Sequence, residues 1–485
     1  MTGRGSLFYG WIVVALAFVT MGIGVTVTRA FSLLFPSLLD EFGWAFGLTA
    51  GAFSVGTLVS TIAAPFLGPL MDRHGPRRVM LLGALVVGSG LLLAELIATP
   101  RHLYLTLGLL VSGGSVAFGY TAHALFLPNW FVRRRGLAMG LAFSGVGVGS
   151  IVLLPWMERV VVAAGWRTAC LVMALLVFGL GLLNLLQRLR PEDIGSTPDG
   201  DAIDDARPTS DPRAGIVDAA WASVDWTLRR GVVTARFWWI ALGFLTSSFA
   251  WYGMQVHQTQ YLIEVGFLPA TAVWALGLVA FTGIAGQITV GYLSDRIGRE
   301  WAWSVGSAGF VCSYAALLLM HAQPMVGWLY VMIAAQGFLG YGLAAVYGTI
   351  PAEIFQGRHY GTIFGTLSVA SGVGAALGPW VTGVLHDLTG DYVSAFGVAM
   401  GCSVLSAVAI WRAGPRRVRV VAGRLRQGEN RVASEHRQLG ANGADSIAAY
   451  DAVKLRSEGG DYARTPSGNH TEEVPKARVR IGRSI

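Results

Sequence analysis

A run of roughly 20 apolar residues is long enough to cross a bilayer core of ~30 Å. Such runs recur along this chain at about 9–35, 44–70, 79–98, 103–127, 137–157 and 168–187, and again at about 237–263, 271–293, 301–321, 326–350, 361–385 and 392–411. The spacing predicts twelve transmembrane helices in two series of six, an all-α membrane protein embedded in a lipid bilayer. Composition agrees: 13% of the residues are charged and 53% hydrophobic, whereas a soluble domain carries about 25% charged residues. The 64 glycines follow no fixed period, which excludes collagen and fits helices whose backbones approach closely. Cys170, Cys312 and Cys402 lie inside apolar stretches and read as packing residues, with no disulfide framework. The formal charge of +8 fits Arg-rich loops better than nucleic-acid binding, and no nucleic-acid partner is expected. No HExxH, GxSxG, CxxC or GxxxxGK[ST] pattern occurs, so an enzyme is not expected, nor any metal or cofactor. The glycine runs 140–149 and 365–378 sit in apolar helices and read as packing surfaces, not phosphate loops.

Loop charge gives an orientation. The loops after even-numbered spans hold Arg73, Arg77, Arg78, Arg133, Arg134, Arg135, Arg296, Arg299 and Arg358; the opposite side holds Arg101, Arg159 and Arg167. The positive-inside rule puts the richer side and both termini in the cytoplasm. The expected organisation is a six-helix half over 1–187, a cytoplasmic linker over 188–236, a second half over 237–411 and a disordered cytoplasmic tail over 412–485. The first span is expected to stay uncleaved. Trp226-Thr-Leu-Arg-Arg reads as a short interfacial helix within the linker.

The two series are copies. Gly68-Pro-Leu-Met-Asp72-Arg73-His-Gly75 returns 223 residues later as Gly291-Tyr-Leu-Ser-Asp295-Arg296-Ile-Gly298, Pro128 pairs with Pro351 at the same spacing, and Ser144-Gly-Val-Gly147 returns as Ser371-Gly-Val-Gly374. A parallel six-span repeat is the signature of carriers that bind substrate near the midplane between halves.

The Gly68 to Arg78 loop and its echo from Gly291 to Arg299 resemble the signature loop of the major facilitator superfamily. Tyr9-Gly-Trp11, and Trp130-Phe-Val-Arg133-Arg134-Arg135-Gly-Leu-Ala-Met-Gly140 running on through Gly145 and Gly149, resemble the two motifs of the monocarboxylate transporters and their bacterial oxalate/formate-type relatives. The resemblance covers roughly 8–411. It implies a secondary transporter in the cytoplasmic membrane that works by alternating access, with the monomer as the expected functional unit. It also implies that Gly68, Asp72, Arg73, Gly75, Asp295 and Arg296, with Arg133, Arg134 and Arg135, form a cytoplasmic gate. The residues themselves suggest the same: glycines allow close approach, and carboxylates can pair with guanidinium groups across the face.

Arg29 lies about 10 Å inside the outer end of the first span by helical rise, where a charge is functional by default. The resemblance places it where those transporters carry a Lys. Arg pairs bidentately with a carboxylate but stays protonated. In span eight the family carries an Asp and, four residues on, an Arg; here those positions are Gly283 and Gln287. Span eleven holds no Lys or Arg, unlike the two-cation site of the oxalate-type relatives. A single cation suits a monocarboxylate, so the expected substrate is a small organic anion, with Arg29, Tyr120, Tyr261, Gln287, Tyr341 and Tyr347 as binding residues. His257 and His123 are the candidates for proton coupling, since His titrates near neutral pH. An anion exchanger, a carrier of neutral solutes and a non-transporting membrane sensor are the other readings.

Overall fold

The computed structural model describes residues 8–29, 31–200, 216–323 and 325–420. Among these residues there is no strand, only one isolated bridge between Ile216 and Arg419. The long helical segments are α1 (Tyr9–Arg29), α2 (Phe31–Phe42), α3 (Phe46–Ala94), α4 (Pro100–Trp130), α5 (Arg135–Leu183), α6 (Ala235–Glu264), α7 (Pro269–Ile297), α8 (Arg299–Ala322), α9 (Val326–Ile354), α10 (Tyr360–Thr389) and α11 (Val393–Ala413). A helix satisfies its backbone within the segment, as lipid requires. Nine segments of the described residues are long and apolar enough to cross a membrane.

Five of the expected spans differ from the sequence pattern. The apolar run 9–35 is not one helix: α1 ends at Arg29 and a separate α2 carries Pro36, which has no N–H to give to the turn before it. In contrast, spans two and three appear as one element, α3, interrupted only at Gly75 (φ 73°, ψ 167°), and spans five and six as α5, interrupted at Gly165 (φ 86°, ψ 162°). Only glycine takes such a conformation without strain, so these residues are the reversal points. Gly298, the repeat partner of Gly75, has φ 103° and separates α7 from α8.

Lipid tails are as apolar as leucine, so these helices are held by close packing and buried hydrogen bonds rather than by water exclusion. Glycines supply the close packing. A Cβ at Gly145 would collide with the Phe18 carbonyl on α1, and one at Gly374 with the Leu245 carbonyl on α6. Some buried polar groups bond across helices: Trp303 Nε1 donates to Ser406 Oγ (2.9 Å), which donates to the Gly243 carbonyl (2.7 Å), and Tyr314 donates to the Ala250 carbonyl (2.6 Å).

Within the expected linker, a short helix Leu228–Val232 is capped by Thr227 Oγ1, which accepts the Arg230 N–H at 3.4 Å. Trp221 donates to the Ile354 carbonyl at 2.8 Å and packs with Trp226 against Phe355. Residues 412–420, the start of the expected tail, continue α11 to Ala413 and then dock beside the linker, with Val217 N–H on the Val418 carbonyl at 2.9 Å. The rest of that tail, 421–485, lies outside the described residues.

Candidate functional site

Glycine packing two turns away positions Arg29. A Cβ at Gly22 would stand 3.0 Å from the Gly145 carbonyl oxygen, and one at Gly149 would fall on the Gly22 carbonyl. The backbone contact carries the end of α1 over α5, where Arg29 Nη1 donates to Ser150 Oγ at 3.0 Å. The Arg29 side chain is exposed, and its charge acts on the hydroxyls of Tyr120, Tyr252 and Tyr341. These tyrosines stand on α4, α6 and α9, within electrostatic reach of the guanidinium.

Two irregular segments deliver the tyrosines. In α4 a π-helical stretch, Tyr104–Val111, passes into a 3-10 turn, Val116–Phe118, and extended Gly119 before Tyr120. In α9 a π-helical stretch, Ala334–Leu339, is followed by the 3-10 turn Gly340–Gly342 that holds Tyr341. Such bulges often mark functional sites because they re-aim side chains. Tyr120 rests edge-on against Phe143 (5.0 Å between centroids), and Tyr341 stacks on Trp251 (4.5 Å, 11° between planes). A Cβ at Gly283 would come within 2.6 Å of Tyr341 Cδ2, so the missing side chain at 283 is what admits this ring. A guanidinium within electrostatic reach of phenol hydroxyls, one of them in a stacked aromatic pair, is suited to a carboxylate with an apolar body.

Of the other expected binding residues, Gln287 is buried with Oε1 lacking a partner among the described residues. Tyr347 packs on Phe244 (4.3 Å) and lies by Ser368 and Ser371. Tyr261 donates to the Leu317 carbonyl and is buried among Tyr392 and Phe396. His257 is held between the Tyr392 hydroxyl (Nδ1, 3.2 Å) and the Pro379 carbonyl (Nε2, 2.9 Å). His123 Nδ1 lies 3.0 Å from the Gly119 carbonyl, and its buried Nε2 has no partner among the described residues. The structure thus gathers Arg29, Tyr120 and Tyr341, while His257 and Tyr261 sit in a separate cluster. Tyr252 and Trp251 complete the group without having been singled out from sequence; their adjacency in span seven was the available signal.

The residues of the expected gate make backbone contacts as well as guanidinium pairing. Asp72 accepts the N–H of Gly361 (3.3 Å) and Thr362 (3.1 Å) at the start of α10. Asp295 accepts the N–H of Gly136 (2.9 Å) and Leu137 (3.0 Å) at the start of α5. Each carboxylate thereby meets unsatisfied donors and the positive end of a helix dipole. Glycine makes the approach possible, since a Cβ at Gly68 would strike the Gly361 carbonyl and one at Gly136 the Gly291 carbonyl. Arg299 braces Asp295 (2.7 Å) and Glu353 (2.7 Å) from a buried position. Arg73 and Arg134 are exposed, and Arg296 lies over the Tyr292 ring. Arg135 is buried, with Nε donating to the carbonyls of Pro128 (3.0 Å) and Phe131 (2.6 Å). Arg133 Nε stands 3.6 Å from Asp199, whose carboxylate also accepts the N–H of Val132 and Arg133 at 3.0 Å each. Asp199 has a positive φ (62°), a local strain that these bonds offset. Tyr360, also not anticipated, ties the latches together by donating to the Ala124 (3.1 Å) and Gly348 (2.8 Å) carbonyls. Away from the latches, Glu41 accepts Arg167 in two bonds (2.8 and 2.7 Å), which hold its carboxyl below the usual range.

Membrane-length helices joined along glycine seams, latched at one end by helix-capping carboxylates and carrying a charge inside the bundle, define a multi-pass membrane transporter. The chain belongs to the Major Facilitator Superfamily, whose sequence profile matches residues 10–347 and 264–440. It is similar to monocarboxylate transporter 13 of Rattus norvegicus (29% identity over 392 residues, 81% of this chain and 86% of the relative) and to monocarboxylate transporter 12 of Homo sapiens (26% over 425 residues, 82% and 79%). Among solved structures, the human organic anion transporter MFSD10 (TETRAN) superposes with a TM-score of 0.63 at 16% identity, over 83% of this chain and 99% of that one. The Escherichia coli fucose:proton symporter superposes with a TM-score of 0.61 at 13% identity, over 83% and 98%. At these identities the two structures speak for the fold alone.

Proposed function

We propose that the protein is a secondary active transporter of small monocarboxylates in the cytoplasmic membrane, coupled to protons and working by alternating access. The observation that carries this reading is Arg29, a cation in the first span that donates to Ser150 (3.0 Å) within electrostatic reach of Tyr120, Tyr252 and Tyr341. A guanidinium offers a carboxylate two parallel N–H donors, and the phenols add orientation. Twelve crossings fit the lengths: α3 and α5 far exceed a ~30 Å core at 1.5 Å per residue, each turns back at its glycine, and α6 supplies the remaining crossing. The Asp72 and Asp295 latches then close the cytoplasmic side, and the site opens outward. The names of the monocarboxylate transporter relatives favour the same substrate class.

The test is uptake of labelled pyruvate or lactate into proteoliposomes with and without an inward proton gradient. Arg29→Gln is expected to lower uptake by roughly tenfold or more, the worth of a charge-assisted bond, and Arg29→Lys to retain part of it. Full uptake in a folded Arg29→Gln protein would refute the assignment. A second reading, exchange of anions without protons, is favoured by Gly283, where Tyr341 occupies the space that a proton-carrying Asp needs. Uptake driven by internal anion and indifferent to the proton gradient would select it.

A further inference from the structure

A cleft of about 620 Å³ runs along the flank of the bundle between α8 and α11, on residues the transport site does not use. Ala308, Val311, Val404 and Ala407 line it, small or apolar side chains that leave a furrow between the helices. Arg412, Arg416 and Arg417 stand at one end, all exposed, and among the described residues none of the three pairs with a carboxylate. The nearby carboxylate of Glu300 accepts the backbone N–H of Arg416 (2.8 Å) and is itself buried. Trp411 marks the same level: its Nε1 donates to Ser304 Oγ at 2.8 Å, Trp301 meets it edge-on, and the Arg416 guanidinium lies 4.3 Å from its ring centroid. Tryptophan with arginine at a helix end is the residue pattern of the headgroup zone. One turn deeper, Ser307 lines the cleft, is 3% exposed and has an Oγ with no partner among the described residues. A buried hydroxyl left unpaired is costly, so this position calls for an acceptor.

We propose that the cleft binds an anionic phospholipid, with its phosphate on Arg412, Arg416 and Arg417, an ester carbonyl on Ser307 and an acyl chain along the furrow. The charge of the rim excludes a plain hydrocarbon as the preferred occupant, and the furrow distinguishes the site from one for free phosphate. The proposal rests on the membrane reading of the fold but not on the substrate, and it ties lipid to the latch end through Glu300, the neighbour of Arg299 on α8.

The full-length protein in detergent would be tested by native mass spectrometry and thermal melting with added phosphatidylglycerol, phosphatidylcholine, diacylglycerol or inorganic phosphate. Phosphatidylglycerol alone is expected to stay bound and raise the melting temperature. Replacing the three arginines with Gln should weaken its retention by roughly tenfold or more. Ala407→Trp, which fills the furrow and leaves the charges intact, should displace it as well, and Ser307→Ala should weaken it without affecting the lipid-free melt. Equal retention of phosphatidylcholine would mean annular lipid only, and a shift with inorganic phosphate would mean a headgroup patch without a lipid site; either overturns the proposal. So would unchanged phosphatidylglycerol retention in the Ala407→Trp protein. Transport failure in the Arg29 experiment would leave these readouts untouched.

Discussion

Gly283 shows how an absent side chain can set a site. The Tyr341 ring lies where a Cβ would stand, at 2.6 Å from its Cδ2, and the ring is flat against Trp251. Gly283→Ala is therefore expected to push Tyr341 off Trp251, an overpacking that costs about 1–3 kcal/mol. The measured consequence should be a KM for uptake raised several-fold with a modest fall in thermal stability. Tyr341→Leu in the same background removes the clash and should recover the stability but not the KM. If Gly283→Ala leaves KM unchanged, the aromatic pair does not touch substrate. Sequence alone made the glycine visible as a departure from the family pattern, and Arg29 visible as a charge within an apolar span. It could not show Tyr252 or Trp251, because nothing in a run of apolar residues says which aromatic faces the centre.

At the scale of elements, each latch is a helix N-terminus meeting a carboxylate, and the two are related by the sequence repeat. The repeat spacing made the latch residues legible, and the loops lie where it implied. Their backbone partners were not legible, because N–H groups at a helix start carry no sequence identity; Asp295 has a guanidinium partner in Arg299, while Asp72 and Asp295 also cap α10 and α5. Asp72→Asn keeps an acceptor but loses the charge that the helix dipole favours, worth about 0.3–1 kcal/mol at such a position. It should shift the population toward an open latch end by a few-fold. Reaction of a single cysteine placed at the exposed position 73 or 358, in a protein without Cys170, Cys312 and Cys402, would report it. An unchanged rate of labelling would place the closing energy in the glycine contacts instead. The π-helical stretches of α4 and α9 were also beyond the sequence pattern, since periodicity shows only that those spans are helical and apolar.

For the molecule as a whole, the two helical series meet along two seams. One joins α5 to α7, where a Cβ at Gly140 would strike the Gln287 carbonyl; the other joins α3 to α10, where a Cβ at Gly365 would stand 3.0 Å from the Ala64 carbonyl. If the series rock as two rigid bodies, both seams must close together at the latch end, and a wedge in either one blocks the same movement. Gly140→Leu and Gly365→Leu should then have one phenotype: transport falls by an order of magnitude or more while substrate still binds, because the clash strains only the state closed at the latch end. The double variant should lose about the product of the two single losses, since strain at two distant seams adds in the free energy of the one closed state. Counterflow in proteoliposomes measures the transport, and substrate protection against thermal unfolding measures the binding. A loss from a wedge in one seam only would mean that the seams close separately, and the rocking of two bodies about a central Arg29 would have to be abandoned for a movement within one series.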